Sequence, residues 1–118
     1  MNLSLDNPLF LIPATSGLIF IIAGLIMSQF PPKKINAFYG YRTNSSMKNQ
    51  EQWDFSQTYA AKEMAKLGSL LLMSGVLGFV FHTNDKTEMV IGMGLMILMV
   101  VILLIRVEKA IKKEFNNT

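Results

Sequence analysis

The chain has 118 residues, of which 51% are hydrophobic, and a formal net charge of +3. This length leaves room for one small domain, and the absence of cysteine excludes both a disulfide framework and thiolate chemistry. The hydrophobic residues are concentrated in three largely uncharged runs rather than distributed as in a soluble core. Because helices made from these runs would lack a polar outer face, the sequence predicts an integral membrane protein instead of a soluble helical bundle.

The three hydrophobic runs predict three transmembrane helices, at about residues 9–30, 62–81 and 89–107. A bilayer core of about 30 Å requires about 20 helical residues, and the two shorter runs reach this length through their amphipathic flanks. The predicted fold class is all-α, with one membrane domain covering residues 1–118. Residues 31–61 form a polar head loop between the first two spans, and residues 108–118 form an amphipathic tail on the membrane surface.

The distribution of positive charge predicts the orientation of these spans. Six Lys or Arg residues lie between the first and second spans, four follow the third, and only Lys86 lies elsewhere. The positive-inside rule therefore places the N-terminus outside and both the head loop and the C-terminus in the cytoplasm of a bacterium. Orientation and attraction to anionic headgroups account for the basic charge, so we expect membrane lipids as partners and no nucleic acid.

Small residues recur at intervals of seven in the first two spans. They are Gly17 and Gly24 in the first span, and Ala61, Gly68 and Gly75 in the second. In lipid, such stripes let helices approach closely. We favour the interpretation that they pack the first two helices together within one chain, and the alternative is a homo-oligomer through Gly68, Gly75 and Gly78.

The head loop contains clear signals for where helices end and begin. Pro31 and Pro32 stop the first helix near Phe30, because neither proline carries a backbone donor. Asn49 is a suitable N-cap, with Gln52 at the capping-box position, so an interfacial helix begins there and runs into the second span. Helical spacing places the following residues of this helix on one face: Trp53, Ala60, Met64 and Leu67. It places these charged residues elsewhere on the surface: Lys62, Glu63 and Lys66.

The same segment resembles the SdpI family, small bacterial membrane proteins named for immunity to a secreted killing peptide. The resemblance is carried by the stretches PPKKINAFYGYRT, SMKN and WDFSQ. It implies a non-enzymatic protein that protects a bacterial cell from a membrane-active antimicrobial peptide and relays the peptide's presence to a regulator. The partner would then be a toxin peptide or another membrane protein. The segment supplies eight candidate partner-binding residues: Asn36, Tyr39, Gly40, Tyr41, Arg42, Thr43, Ser46 and Trp53.

Arg42 has two interpretations, because its planar guanidinium can pair bidentately with a carboxylate or a phosphate. In the favoured one it ties the head loop to Glu51 or Asp54, or anchors on a lipid phosphate. In the other it recognises an acidic or C-terminal carboxylate of a partner, with Asn36 and Thr43 as neutral hydrogen-bonding groups.

Enzymatic chemistry has little support in this sequence. We find no nucleophile–base pair, glycine-rich phosphate loop or metal-spaced cluster. The sole histidine, His82, reads as a surface residue, and the methionines of the third span favour packing over Cu(I) binding. We therefore expect no catalytic residue, metal or cofactor. The alternative function is a small accessory or scaffold subunit that binds a larger membrane protein or self-associates.

Overall fold

The computed structural model describes residues 7–81 and 84–115, and these residues form three α-helices and no strand. The helices are α1 (Pro8–Gln29), α2 (Gln50–Gly78) and α3 (Asp85–Phe115). The all-α prediction is confirmed for this part of the chain. Two of the helices, α1 and α3, are long and apolar enough to cross a membrane, with mean hydropathies of 2.4 and 2.8. Their outer faces expose many large apolar side chains, which suits contact with lipid.

The end of α1 and the start of α2 lie close to the residues that predicted them. Asn7 caps α1 by accepting a hydrogen bond from the Leu9 amide at 2.9 Å, and α1 ends at Gln29, just before the proline pair. Asn49 caps α2 in the same way, because its Oδ1 accepts from the Gln52 amide at 2.9 Å. The predicted end of α1 and the predicted start of α2 therefore agree with the structure, whereas the cap at Asn7 was not predicted. His82 and its neighbour lie outside the described residues.

Small residues bring α1 and α2 into direct backbone contact. A Cβ atom on Gly17 would lie 2.6 Å from the carbonyl oxygen of Gly68, and one on Gly68 would lie 2.7 Å from that of Gly17. Gly24 and Gly75 face the backbone of the opposite helix just as closely. This geometry confirms that the stripes pack α1 and α2 within one chain. A homo-oligomer through Gly68, Gly75 and Gly78 stays a prediction, and α1 already covers all three glycines.

The buried face of α2 contains one residue, Glu63, that was wrongly predicted to lie on the surface. Trp53, Ala60 and Leu67 are buried as their spacing predicted. Glu63, however, is only 3% exposed, although it was predicted to lie on the surface. The cause is an ion pair with Arg106 of α3, which lies 43 residues away in sequence and neutralises the buried carboxylate.

Both α2 and α3 are continuous across a boundary between predicted segments. The interfacial helix runs into the predicted second span, as expected, and together they form α2. Residues 108–115, predicted as part of a separate tail, continue α3 without a break. They pack on α2, since Ile111 is fully buried and Phe115 meets Phe55 edge-on at 5.6 Å.

We expect Gly68→Ala to destabilise the chain by about 1–3 kcal/mol, because the added methyl would meet backbone atoms that cannot move aside. Gly94→Ala is the matched control, because a Cβ there has no neighbour within 4 Å. In the control, alanine's better helix propensity raises stability or leaves it unchanged. Thermal unfolding in detergent measures both, and equal effects of the two substitutions would refute the close α1–α2 contact.

Candidate functional site

Residues 30–49 connect α1 to α2 without regular secondary structure, and we call them the α1–α2 loop. Four side chains of α2 donate hydrogen bonds to carbonyl oxygens of this loop, and the fourth, Gln57, is described below. Trp53 Nε1 binds the Pro32 oxygen at 2.7 Å. Gln50 Nε2 binds that of Lys33 at 2.6 Å, and Gln52 Nε2 binds that of Ser45 at 2.8 Å. The loop is thus fixed on the N-terminal half of α2 along most of its length.

The closest attachment joins Tyr41 to Gln57. The Tyr41 amide donates to Gln57 Oε1 at 2.6 Å, and Gln57 Nε2 donates to the Tyr41 carbonyl at 2.7 Å. Gly40 makes this approach possible, because its φ of +111° lies in a region that favours glycine. A Cβ at Gly40 would also lie 2.6 Å from Gln57 Oε1. The Gln57 side-chain amide therefore makes the two backbone hydrogen bonds that a neighbouring β-strand would otherwise supply to Tyr41.

Three hydroxyl groups of the loop converge on Glu108 of α3. Tyr41 and Thr43 donate to its Oε2 at 2.6 and 2.8 Å, and Ser45 donates to its Oε1 at 2.5 Å. Burial raises the pKa of Glu108, but the three hydrogen bonds together outweigh it, so this pKa lies below its usual range. Burial, reinforced by the adjacent carboxylate, raises the pKa of the Tyr41 phenol far above its usual value. At neutral pH, then, Glu108 is a charged acceptor and Tyr41 a neutral donor.

Several of the predicted binding residues serve the loop itself. Ser46 is fully buried, and its Oγ accepts from the Thr43 amide at 2.8 Å and donates to the Tyr41 carbonyl at 3.0 Å. Asn36 Oδ1 accepts from the amides of residues 38 and 39 at 2.9 and 2.8 Å, which forms a local turn. With Trp53, these residues hold the loop in place and lie outside the lining of the cleft described below, and their role in binding a partner stays a prediction.

Arg42 differs from the favoured sequence interpretation. Its Nη1 donates to the carbonyl oxygen of Ala37 within the loop, and neither Glu51 nor Asp54 pairs with it among the described residues. The interpretation that Arg42 ties the loop to a carboxylate of α2 is therefore wrong. The side chain is exposed, and its other donors make no hydrogen bond within residues 7–81 and 84–115.

A cleft of about 500 Å³ lies between α1 and α3, beneath the loop. Its apolar walls are formed by six side chains: Ala23, Ile26, Met27, Met64, Leu103 and Leu104. Five of the eight predicted site residues complete it: Tyr39, Gly40, Tyr41, Arg42 and Thr43. The structure therefore brings most of the predicted site together around a recess that is apolar on the helix side and polar on the loop side. An amphipathic ligand fits this arrangement.

Sequence reasoning missed Gln57 and Glu108, the two helix residues that orient the loop. Gln57 had the spacing of a buried position, since it lies four residues after Trp53. Glu108 stood out only as a carboxylate among the basic residues of the predicted tail. Within the described part of the chain, no group of acidic or histidine side chains is placed to bind a metal.

Comparison with known proteins identifies the family. The model of the SdpI/YfhL protein family matches residues 33–107, which include most of the α1–α2 loop, all of α2 and most of α3. The chain belongs to this family. It is also 43% identical over 61 residues to an uncharacterised protein, YfhL, of Bacillus subtilis (strain 168), and the match covers 52% of this chain and 56% of that protein. This SdpI-family chain thus matches about half the length of its curated relative, and no solved structure matches it.

We expect the contact between the loop and Glu108 to weaken in acid. Because the pKa of Glu108 is lowered in the folded chain, its carboxylate stabilises the docked loop at neutral pH, and this contribution is lost as the pH falls through the folded-state pKa. Trp53 is the only tryptophan and binds the loop, so its fluorescence reports docking. The wild type should show a reversible acid transition in this signal.

Glu108→Gln should remove that transition and destabilise docking by about 1–2 kcal/mol at neutral pH, because the amide cannot accept from all three hydroxyls. Glu114→Gln, at an exposed position of the same helix, is the control and should keep the wild-type profile. An unchanged acid transition in Glu108→Gln would show that another group controls the loop.

Proposed function

We propose that this SdpI-family chain crosses the bacterial cytoplasmic membrane three times, with its α1–α2 loop in the cytoplasm. Residues 62–81 supply the span that joins α1 and α3, and their exposed apolar side chains support contact with lipid: Leu70, Met73, Val76 and Leu77. The antiparallel packing of α1, α2 and α3 brings the loop and the end of α3 to one side of the bundle. Ten of the eleven basic residues lie in these segments or close beside them, which favours a cytoplasmic position.

This topology is testable because the chain contains no cysteine. Single cysteines at Lys48, in the loop, and at Lys86, at the start of α3, should behave oppositely in intact cells. An impermeant maleimide should label Lys86→Cys from outside and should label Lys48→Cys only after the membrane is permeabilised. Labelling of Lys48→Cys in intact cells contradicts the proposed orientation.

We further propose that the protein gives immunity or resistance to a membrane-active antimicrobial peptide and has no enzymatic role. The observation that carries this proposal is the cleft between α1 and α3. Its apolar walls suit the side chains of a peptide that partitions into the membrane, and the exposed Arg42 suits an acidic or C-terminal carboxylate of that peptide. Family membership gives independent support.

The geometry also suggests how a bound peptide would be relayed to a regulator. Tyr41 and Thr43 line the cleft and at the same time hold Glu108 at the end of α3. A ligand that displaces this part of the loop would release Glu108 and alter the cytoplasmic surface. Binding at the cleft and the signal on that surface are then two consequences of one loop movement.

Arg42→Ala should reduce protection of a sensitive bacterium by about tenfold or more in the lethal peptide concentration, because removing one member of an ion pair leaves the other uncompensated. Lys34→Ala, which removes an exposed charge from the same loop, is the matched control and should protect like the wild type. Survival is measured at equal expression, and Trp53 fluorescence checks that the loop remains docked.

Protection by the intact chain that persists in Arg42→Ala would contradict a role for this guanidinium in recognition. No protection by the intact chain against any peptide of this class would contradict the immunity proposal. The accessory-subunit function would then account better for the docked loop and the helices that hold it.

A further inference from the structure

Two adjacent cavities lie between α2 and α3, on the side of α3 away from the Arg42 cleft, and they share Arg106. The larger, of about 580 Å³, is lined by aromatic and charged residues: Phe55, Tyr59, Arg106, Lys109, Ala110, Lys113 and Glu114. The smaller, of about 360 Å³, is lined mainly by apolar residues beside an ion pair: Glu63, Lys66, Leu67, Leu70, Met99, Ile102 and Arg106. We call the two together the α2–α3 groove.

The larger cavity offers positive charge that the chain itself does not neutralise. Lys109 and Lys113 are exposed and form no ion pair among the described residues. Arg106 donates to Glu63 through Nε and Nη2, but its Nη1 makes no hydrogen bond in this part of the chain. Glu114 is the one carboxylate in the lining, and because Arg106 is already paired with Glu63, the two unpaired lysines outnumber it by two to one. An anion with several oxygen acceptors suits this cavity.

The smaller cavity continues the groove toward the apolar surface of the bundle. Leu70, Met99 and Ile102 form its apolar walls. Lys66 already forms an ion pair with Glu63, with 3.3 Å between Nζ and Oε2. Just before Arg106, the exposed side chains of α3 are apolar, including Leu104 at 41% and Ile105 at 50% exposure. Arg106 therefore marks the level at which α3 changes from an apolar to a basic surface, as expected where hydrocarbon meets headgroups.

From this arrangement we propose that the α2–α3 groove binds one anionic phospholipid of the inner leaflet. Its phosphate lies against Lys109, Lys113 and Nη1 of Arg106. The first part of an acyl chain lies in the apolar cavity beside Met99. The apolar cavity favours a lipid over a soluble phosphate, which would leave that cavity unfilled. This site requires the membrane topology proposed above but is independent of peptide immunity.

The test uses the intact protein purified in a neutral detergent and titrated with dioleoyl phosphatidylglycerol or dioleoyl phosphatidylcholine, with native mass spectrometry counting bound lipids. We expect one phosphatidylglycerol to bind about tenfold or more tightly than phosphatidylcholine, as attraction by two or three basic residues implies. Equal affinity for the two lipids overturns the proposal. Displacement of phosphatidylglycerol by glycerol phosphate also overturns it, because the site would then accept any soluble phosphate.

Variants separate the groove from general surface charge. The double variant Lys109→Ala with Lys113→Ala should lose about tenfold or more in affinity for phosphatidylglycerol. Lys34→Ala with Lys62→Ala removes the same charge from exposed positions outside the groove and should bind as the wild type does. The proposal fails if the groove variant retains wild-type affinity or if both pairs lose affinity equally.

A third arm examines the acyl chain. Met99→Trp fills the apolar cavity and should weaken binding of phosphatidylglycerol, whereas Leu98→Trp, at a position 50% exposed and outside the cavity, should not. Unfolding temperatures without added lipid check that both tryptophan variants are folded. Unchanged binding by a folded Met99→Trp variant contradicts the placement of the acyl chain.

Discussion

The pair of hydrogen bonds between the Gln57 side chain and the Tyr41 backbone fixes the α1–α2 loop on α2. The α1–α2 loop has no strand or helix of its own, so its buried backbone groups need partners from elsewhere. Gln57 supplies both a donor and an acceptor to one residue, at 2.7 and 2.6 Å. With Tyr41 held, its hydroxyl and that of Thr43 reach Glu108, and the loop becomes a bridge between α2 and α3. The shape of the cleft beneath the loop follows from that bridge.

The contact between α1 and α2 sets the remaining geometry. Since Gly17 and Gly68 bring the two backbones together, little space is left between these helices at that level. The cleft beneath the loop and the larger cavity of the α2–α3 groove lie on either side of α3, at the end of the bundle that carries the loop. One combines apolar walls with a single guanidinium, and the other combines aromatic rings with several cations. Because the two recesses differ in charge, we propose different ligands for them, a peptide for the first and a lipid for the second.

The sequence predicted what depends on neighbours along the chain. Asn49 as a helix cap, the proline stop before the loop and the burial of Trp53 are local or periodic features, and the structure has all three. The sequence failed where a residue's environment depends on another helix. Glu63 and Glu108 were placed on the surface or in a tail because their partners lie 43 and 67 residues away. Polar partners that lie so far apart in sequence produce no periodic pattern along the chain. Their burial can therefore be recognised only once the packing of the helices is known.

The central claim, that side chains of α2 and α3 hold an otherwise irregular loop in one conformation, is tested most directly by hydrogen exchange of the intact protein in lipid nanodiscs. The amides of Tyr41 and Thr43 are the informative ones, since they donate to the side chains of Gln57 and Ser46 and take no part in backbone hydrogen bonding of a helix. If the loop is docked, both amides exchange far more slowly than those of an unstructured peptide of the same sequence. Exchange of both amides at the rate of the unstructured peptide would contradict this docking, because the loop would then be detached from α2 and α3 and would no longer line the cleft.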